Sequence, residues 1–204
     1  MLSFFGAISG FAEKADSSQS PILLVDVGGG STELVLGTRS SDDGVPEIIR
    51  AHSFDIGSSR ITESFFETDP PTFEEMARAR SFIDTTLDAF FKENEVVPAG
   101  VIAVAGTATT VVSVRDALRV YNPRKVHGQT VTVDELSSVF ERLSALSVRQ
   151  RRECVGLEPD RAPVILGGIA VLRSVMDFLP ENKLVVSETD LLQGILLGRD
   201  RLRV

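Results

Sequence analysis

Eight consecutive residues near the start of the chain combine glycine, hydroxyl and carboxylate groups at a spacing that suits phosphate chemistry. They are Asp26-Val27-Gly28-Gly29-Gly30-Ser31-Thr32-Glu33. Three glycines relax the steric limits on φ, so that backbone N–H groups can approach a phosphate closely. Asp26 and Glu33 flank the glycines and supply the hard oxygen ligands that Mg²⁺ prefers. We therefore predict a phosphate and Mg²⁺ site here, and an ordinary glycine-tipped hairpin is the alternative.

The same segment lacks the features of three other glycine motifs. A Walker loop requires a lysine after the glycines, and none follows here. The dinucleotide fingerprint and the nucleophile elbow both need a glycine at the position of Glu33. These three classes of site are therefore excluded for this segment.

A second candidate segment is Gly106-Thr107-Ala108-Thr109, which follows a predicted buried strand over 100–105. The free N–H groups at the start of a helix attract anions. Gly106 and Thr107 are therefore candidate phosphate ligands. The alternative is that Thr107 or Thr109 is a plain helix N-cap.

The elements that would position these residues follow an α/β pattern. Residues 22–27 and 31–36 are predicted strands of a hairpin around the glycines, and 47–54 is a third strand. Capping boxes predict helices beginning at Thr72, Thr132 and Ser147. Further predictions are helices over 106–118, 162–179 and 189–202, a strand over 183–187, and a close-packing site at Gly167-Gly168. Because no internal repeat is present, we predict one α/β unit.

Composition excludes several classes of protein. The 204 residues carry a formal net charge of −8, the wrong sign for neutralising nucleic acid or an anionic membrane. A single cysteine, Cys154, excludes an internal disulfide and a multi-cysteine zinc site. No apolar run reaches the ~20 residues that span a bilayer, and the start lacks the basic residues of a signal peptide. We expect a cytoplasmic protein with neither nucleic acid nor membrane as partner.

Taken in order, the two glycine segments resemble those of the exopolyphosphatase and guanosine pentaphosphate phosphohydrolase (Ppx/GppA) family, within the actin-like, Hsp70 and sugar-kinase superfamily. Residues 53–63 resemble the segment after that family's second phosphate loop. Two later segments resemble the carboxyl-terminal markers of that family. They are Val126-His127-Gly128 and Val186-Ser187-Glu188 with Gly194. The resemblance covers Leu2 to about Arg199. It implies an actin-like (ribonuclease H-like) lobe, in which a mixed sheet led by a β-hairpin meander is covered by helices.

The resemblance also implies a reaction, the Mg²⁺-dependent hydrolysis of the terminal phosphoanhydride of polyphosphate or guanosine pentaphosphate. In family terms Asp26 and Glu33 bind the metal, and Glu33 is catalytic because it organises the attacking water. The implied phosphate ligands are Gly28, Gly29, Gly30, Ser31, Thr32, Gly106, Thr107 and Arg60. For Arg60, an ion pair with Asp55 or Glu63 is an equal alternative.

The chain departs from the family pattern at its start. It contains neither the family's first phosphate loop, of Asp-x-Gly-Thr-Asn type, nor the Gly-Glu-Glu-Ala segment that carries the general-base glutamate. We therefore expect 1–204 to be one lobe, the second of a two-lobed phosphatase, with little turnover alone. Residues 1–14 would be the remainder of a helix from the lobe junction. The expected partners are the amino-terminal lobe and, in the full protein, a second copy in a homodimer.

Other interpretations remain open. The chain could be a non-catalytic module that binds polyphosphate or a guanosine alarmone, or a sugar-kinase-type lobe that contacts adenosine at residues 106–109. His127 is predicted to pack a loop, and Cys154 to be a half-buried structural thiol. The basic residues are either a solvated face or, if they converge, a guide for a polyanion toward the cleft. They are Arg124, Lys125, Arg149, Arg151, Arg152 and Arg161.

Overall fold

The computed structural model describes residues 20–38, 47–92 and 96–188. Their strands are β1 (Ile22–Val27), β2 (Thr32–Thr38), β3 (Glu47–Phe54), β4 (Gly100–Val104), β5 (Thr130–Thr132) and β6 (Lys183–Val186). Their α-helices are α1 (Ser58–Phe65), α2 (Phe73–Lys92), α3 (Ala105–Arg115), α4 (Pro123–Val126), α5 (Val133–Ser144), α6 (Val148–Arg151) and α7 (Ile165–Asp177), and a 3₁₀ turn spans Pro159–Arg161. The predictions for 1–14, 189–202 and Gly194 lie outside these ranges. Within them, no helix is long and apolar enough to cross a bilayer.

The strands form one mixed sheet in the order β3-β2-β1-β4-β6-β5. The first three strands make the predicted antiparallel meander. β4 runs parallel to β1, β6 runs parallel to β4, and β5 closes the far edge antiparallel to β6. The carboxyl ends of β1, β4 and β6 therefore lie side by side at one end of the strands, which is where ligands bind in open α/β sheets.

The central strands are apolar on both faces. On β1, Leu23, Val25 and Val27 point into the main core, whereas Leu24 belongs to a second cluster on the opposite face. Alternate side chains of a strand point to opposite faces of the sheet. An almost continuous aliphatic run is therefore the pattern of a strand buried on both sides.

The three predicted capping boxes are present. Thr72 Oγ1 accepts from the Glu75 amide at 3.2 Å, and a Glu75 carboxylate oxygen accepts from the Thr72 amide at 2.7 Å. The equivalent reciprocal pairs open α5 and α6. Each pair satisfies N–H groups that a helix leaves without intrahelical partners, which explains why these starts are readable from sequence.

Other boundaries differ from the predictions. α3 ends at Arg115 and not near Leu118, because Ala117 adopts a left-handed φ of 49°. The Leu118 amide then donates to the Ser113 carbonyl at 2.9 Å, which closes the helix in a Schellman motif. Glycine usually marks that position, so an alanine there gives no stop signal. The short elements α1, α4 and β5 were not predicted, since helices of eight and four residues and a strand of three residues carry little periodicity.

Candidate active site

The predicted glycine hairpin is confirmed, and its tip is a tight turn. We call residues 28–31, between β1 and β2, the glycine loop. Inside it the Gly28 amide donates to the Ser31 carbonyl at 3.0 Å. Gly29 and Gly30 are exposed at the tip. The loop therefore lies at the sheet edge where β1, β4 and β6 end.

The first turn of α1 fixes the orientation of this loop. Three successive loop carbonyls accept hydrogen bonds from it: Gly28 from the Ser58 amide at 2.9 Å, Gly29 from the Ser59 amide at 2.9 Å, and Gly30 from Arg60 Nε at 3.0 Å. In a trans peptide the N–H group points opposite to the carbonyl. The amides of Gly29, Gly30 and Ser31 therefore point away from α1. Three consecutive N–H groups on one side of a loop form a concave nest that favours anions.

Gly57 allows α1 to approach the loop so closely. A Cβ atom at Gly57 would lie 2.4 Å from both the carbonyl carbon and the oxygen of Gly29, and 2.6 Å from the carbonyl carbon of Gly30. Real Cβ atoms essentially never show contacts under 3.0 Å. Gly57 thus supports the candidate site, and sequence spacing gave no signal for it, because its partners Gly29 and Gly30 are distant along the chain.

The two predicted metal ligands are neighbours across the sheet. Asp26 on β1 and Glu33 on β2 are register partners, and Ser53 on β3 is the register partner of Glu33. Directly opposed side chains in an antiparallel pair have Cβ atoms roughly 5 Å apart. The hydroxyls of Ser31 and Ser53 both donate to Glu33 Oε1, each at 2.7 Å. Sequence spacing identified Asp26 and Glu33, whereas Ser53 emerges only from the register of β3.

Asp26 and Glu33 suit Mg²⁺, which needs few ligands from the protein, better than they suit a metal ion that takes all of its ligands from protein side chains. In the part of the chain that the structure describes, no three His, Cys, Asp or Glu side chains are grouped closely enough to hold a metal ion. Mg²⁺ characteristically takes one or two carboxylates and completes its octahedron with water and substrate phosphate. Asp26 and Glu33, next to the anion nest, fit that ligand set.

The second candidate segment lies beside the first. Val104, the last residue of β4, pairs with Asp26, so that α3 begins next to the glycine loop. Thr107 is buried, and its hydroxyl donates to the Val27 carbonyl at 3.4 Å. Thr32 is also buried, and its hydroxyl donates to the Ile56 carbonyl at 2.5 Å. A hydroxyl has one proton to donate, so both hydroxyls hold the loops in place and neither donates to a phosphate. The backbone N–H of Thr107, in the first turn of α3, remains as its means of contacting phosphate.

A pocket of about 240 Å³ opens at the start of α3. In this pocket the Arg161 guanidinium lies directly against Gly106, because a Cβ atom there would lie only 1.6 Å from Arg161 Nη1. Glu158 pairs with Arg161 Nε at 2.9 Å. Tyr121 and Glu188, which are hydrogen-bonded to each other, line the same pocket. Sequence spacing put Arg161 only in a general basic group, whereas its guanidinium lies next to the predicted phosphate ligand Gly106.

The two glycines of α7 confirm the predicted close-packing site. A Cβ atom at Gly167 would lie 2.4 Å from the Ser58 carbonyl oxygen, and one at Gly168 would lie 2.5 Å from Thr107 Oγ1. α7 therefore supports the starts of both α1 and α3. Since those two starts orient the candidate phosphate segments, the packing of α7 determines the shape of the site.

Among the remaining singled-out residues, the basic group does not behave as one surface. Arg151 is only 3% exposed and pairs with Asp69 at 3.2 Å, and burial lowers the pKa of its guanidinium although Asp69 opposes this. Arg60 makes the ion pair with Asp55 that was the alternative to phosphate binding, at 3.4 Å. His127 Nδ1 accepts from the Glu188 amide at 3.3 Å. Cys154 is half-buried, as predicted.

Comparisons with known proteins point to one family. Residues 2–201 match the model of the Ppx/GppA phosphatase family. The chain is 34% identical, over 97% of its length, to exopolyphosphatase 2 of Mycobacterium tuberculosis, and 34% identical, over 96% of its length, to a bifunctional 3-dehydroquinate synthase/phosphatase of Fusobacterium nucleatum. It spans 60% of the first protein and 28% of the second.

Solved structures show the same fold. The Aquifex aeolicus PPX-GPPA enzyme superposes with a TM-score of 0.84 at 28% identity, over 97% of this chain and 61% of that one. An exopolyphosphatase-like protein superposes with a TM-score of 0.86 at 31% identity, over the whole of this chain and 64% of the other. The predicted mixed-sheet, actin-like architecture is confirmed. This chain belongs to the Ppx/GppA phosphatase family.

Proposed function

We propose that this chain supplies one wall of a site that hydrolyses the terminal phosphoanhydride of polyphosphate or guanosine pentaphosphate. The observation that carries the proposal is the nest of outward N–H groups at Gly29, Gly30 and Ser31, next to the Asp26–Glu33 pair. Its exopolyphosphatase relatives favour the same chemistry. Because the chain spans about 60% of the length of exopolyphosphatase 2, the complete reaction would use groups from the rest of such a protein.

The reaction transfers the terminal phosphoryl group to water. The water oxygen bonds to the terminal phosphorus, the bond from that phosphorus to the bridging oxygen breaks, and one proton passes from the water to the general-base glutamate that the family resemblance assigns to the rest of such a protein. The products are orthophosphate and a chain shortened by one phosphate. Catalysis of such a transfer depends on positioning and on stabilising the charge that shifts toward the equatorial and leaving oxygens.

The residues of this chain would divide that work. The amides of the glycine loop hold equatorial oxygens of the terminal phosphate, and the start of α3 at Gly106 with Arg161 holds a neighbouring phosphate. Asp26 and Glu33 would hold Mg²⁺, which neutralises phosphate charge and polarises the phosphorus when bound. Glu33 orients the attacking water beside the terminal phosphorus.

The test is Mg²⁺-dependent phosphate release from polyphosphate and from guanosine pentaphosphate. It is run on this chain and on a version extended by the coding sequence upstream of Met1. Glu33→Gln keeps the shape of the side chain and removes its charge, and we expect it to lower release by at least about 10²-fold, the range of a lost positioned catalytic group. Glu63→Gln, on the exposed side of α1, is the matched control and should leave release unchanged.

Each outcome separates the candidate functions. Release by the extended form alone supports a two-lobed enzyme, and unequal release from the two substrates identifies the preferred one. Tight Mg²⁺-dependent binding of tripolyphosphate without release from either form favours the non-catalytic binding module. If neither form binds tripolyphosphate and neither releases phosphate, the assignment of Asp26 and Glu33 to phosphate chemistry is refuted.

A further inference from the structure

Two hydroxyl groups converge on one oxygen of Glu33. Ser31 Oγ and Ser53 Oγ each lie 2.7 Å from Glu33 Oε1. A serine hydroxyl has a single proton to donate, and a carboxylate oxygen has two lone pairs to accept with. Both lone pairs of Oε1 are therefore engaged. Oε2 is left as the oxygen of Glu33 that can accept from a further ligand.

The order of the strands places Glu33 between Ser53 and Asp26. The three residues form a row across three adjacent strands, because Glu33 is the register partner of both other residues. The hydroxyl of Ser53 binds Glu33 Oε1 from the β3 side, whereas Asp26 stands on the β1 side. Since Oε1 is already held, Oε2 is the oxygen of Glu33 with which a ligand shared with Asp26 would bond.

We propose that Ser53 is a positioning residue that orients the Glu33 carboxylate. By holding Oε1, it presents Oε2 together with Asp26 as one edge for a divalent cation and its bound water. The Ser31 hydroxyl serves the same orientation, so that Ser31 contacts phosphate through its backbone amide. This inference rests on the proposed function, because it assigns Ser53 a role at that same site.

Preorganisation is the physical reason for such a device. A glutamate side chain has three rotatable bonds, and freezing them at the moment of binding costs conformational entropy. Two hydroxyls from separate segments, one in the glycine loop and one on β3, restrict the carboxylate beforehand. Hydrogen bonds to a charged acceptor are stronger than those between neutral groups, so an exposed serine can hold this orientation.

The test uses Mn²⁺ alone as the probe for the cation, titrated into this chain and followed by electron paramagnetic resonance. Ser53→Ala removes one donor and should weaken Mn²⁺ binding about tenfold, the lower end of the range for one hydrogen bond to a charged group, because Ser31 still holds Oε1. Ser53→Thr keeps the hydroxyl on a residue that suits a strand and should restore binding to within about twofold of the unchanged protein. Ser138→Ala, an exposed serine on α5, is the matched control.

A second readout uses whichever form releases phosphate. Ser53→Ala should lower kcat about tenfold, while KM for polyphosphate stays within about twofold, because the phosphate ligands of the glycine loop are untouched. The thermal midpoint should match that of Ser138→Ala.

Three results would overturn the inference. Unchanged Mn²⁺ affinity in Ser53→Ala refutes the role of Ser53 and leaves the proposed function standing. Equal losses in Ser53→Ala and Ser53→Thr, with lowered thermal midpoints, would show a packing role instead. If the unchanged protein and Glu33→Gln both fail to bind Mn²⁺, Glu33 is not a metal ligand in this chain and the inference is wrong, whereas phosphate release by the extended form decides the proposed function separately.

Discussion

Replacing Gly57 with alanine is the most direct perturbation of the glycine loop. The added Cβ would meet three backbone atoms of Gly29 and Gly30 at 2.4–2.6 Å, whereas ordinary contacts are 3.4–4 Å. The neighbours are main chain, so no side-chain rotation relieves the clash. The loop and the start of α1 must separate by roughly 1 Å, which strains the bonds from the Ser58 and Ser59 amides to the loop carbonyls.

The magnitude follows from these two effects. Overpacking a tight site costs about 1–3 kcal/mol, and weakening one hydrogen bond adds about 1 kcal/mol. We therefore expect Gly57→Ala to lower the free energy of unfolding by about 2–4 kcal/mol, within the 5–15 kcal/mol that a typical domain possesses. A displacement of about 1 Å at a catalytic group costs roughly 10²-fold in rate.

Urea unfolding measures the first quantity, and Mg²⁺-dependent tripolyphosphate binding and phosphate release measure the second. Gly100→Ala is the control, because a Cβ there meets nothing within 4 Å and Gly100 lies at the opposite end of β4 from α3. If Gly57→Ala matched Gly100→Ala in both stability and binding, the proposed support of the loop by α1 would be refuted.

Three further substitutions test other features. The Thr68 hydroxyl and nearby backbone amides lower the pKa of Glu75 from 4.5 to about 2. The ionised carboxylate therefore contributes to the free energy of unfolding fully above pH 4.5, and this contribution is lost toward pH 2. Glu75→Gln should remove that loss of stability in acid, as urea midpoints across that range will show. Asp69→Ala leaves the buried Arg151 without its carboxylate and should lower the free energy of unfolding by about 2–3 kcal/mol, less than the about 3–5 kcal/mol of a fully buried pair because Asp69 is 46% exposed. Urea unfolding measures the loss, and no loss would refute that pairing. Ala117→Gly relieves the left-handed φ that ends α3. It should raise the free energy of unfolding by about 0.5 kcal/mol, and the thermal midpoint should rise with it.

Local patterns predicted most of the fold. The hairpin around Gly28, the capping boxes and the strands at 47–54 and 100–104 each depend on neighbours within a few residues, and each is present. Elements shorter than about two turns, such as α4, carry too little periodicity to be recognised. The end of α3 was misplaced because its left-handed residue is Ala117 and not glycine.

The candidate site was predictable in its parts and not in its assembly. Asp26, Glu33 and Gly106 stood out because their residue types and spacing suit phosphate chemistry. Gly57 and Ser53 did not, because their roles arise from contacts with residues 20 to 28 positions away, which only strand register and helix docking create. The basic group failed as one surface for a similar reason: burial commits Arg151 to Asp69.

An acidic chain can still bind a polyanion if the attraction is local. The net charge of −8 excludes a broad basic surface, but charges further apart than a Debye length of ~8–10 Å are largely screened. Inside the site the phosphate would meet oriented N–H groups, the start of α3 and Arg161, with Mg²⁺ offsetting Asp26 and Glu33. Because few surface cations of the protein would then contact the phosphates, few counterions would be released from the polyanion on binding.

The salt dependence of binding tests this view. At fixed Mg²⁺, the affinity for tripolyphosphate should fall by less than about tenfold between 50 and 200 mM salt, whereas six to ten Lys or Arg contacts to a nucleic-acid backbone would cost about 10³–10⁵. Isothermal titration at three salt concentrations measures it, and Arg161→Gln, which removes the guanidinium next to Gly106, should flatten the slope further. A fall of 10²-fold or more would mean that scattered surface cations bind the polyanion, and that the anion nest of the glycine loop does not.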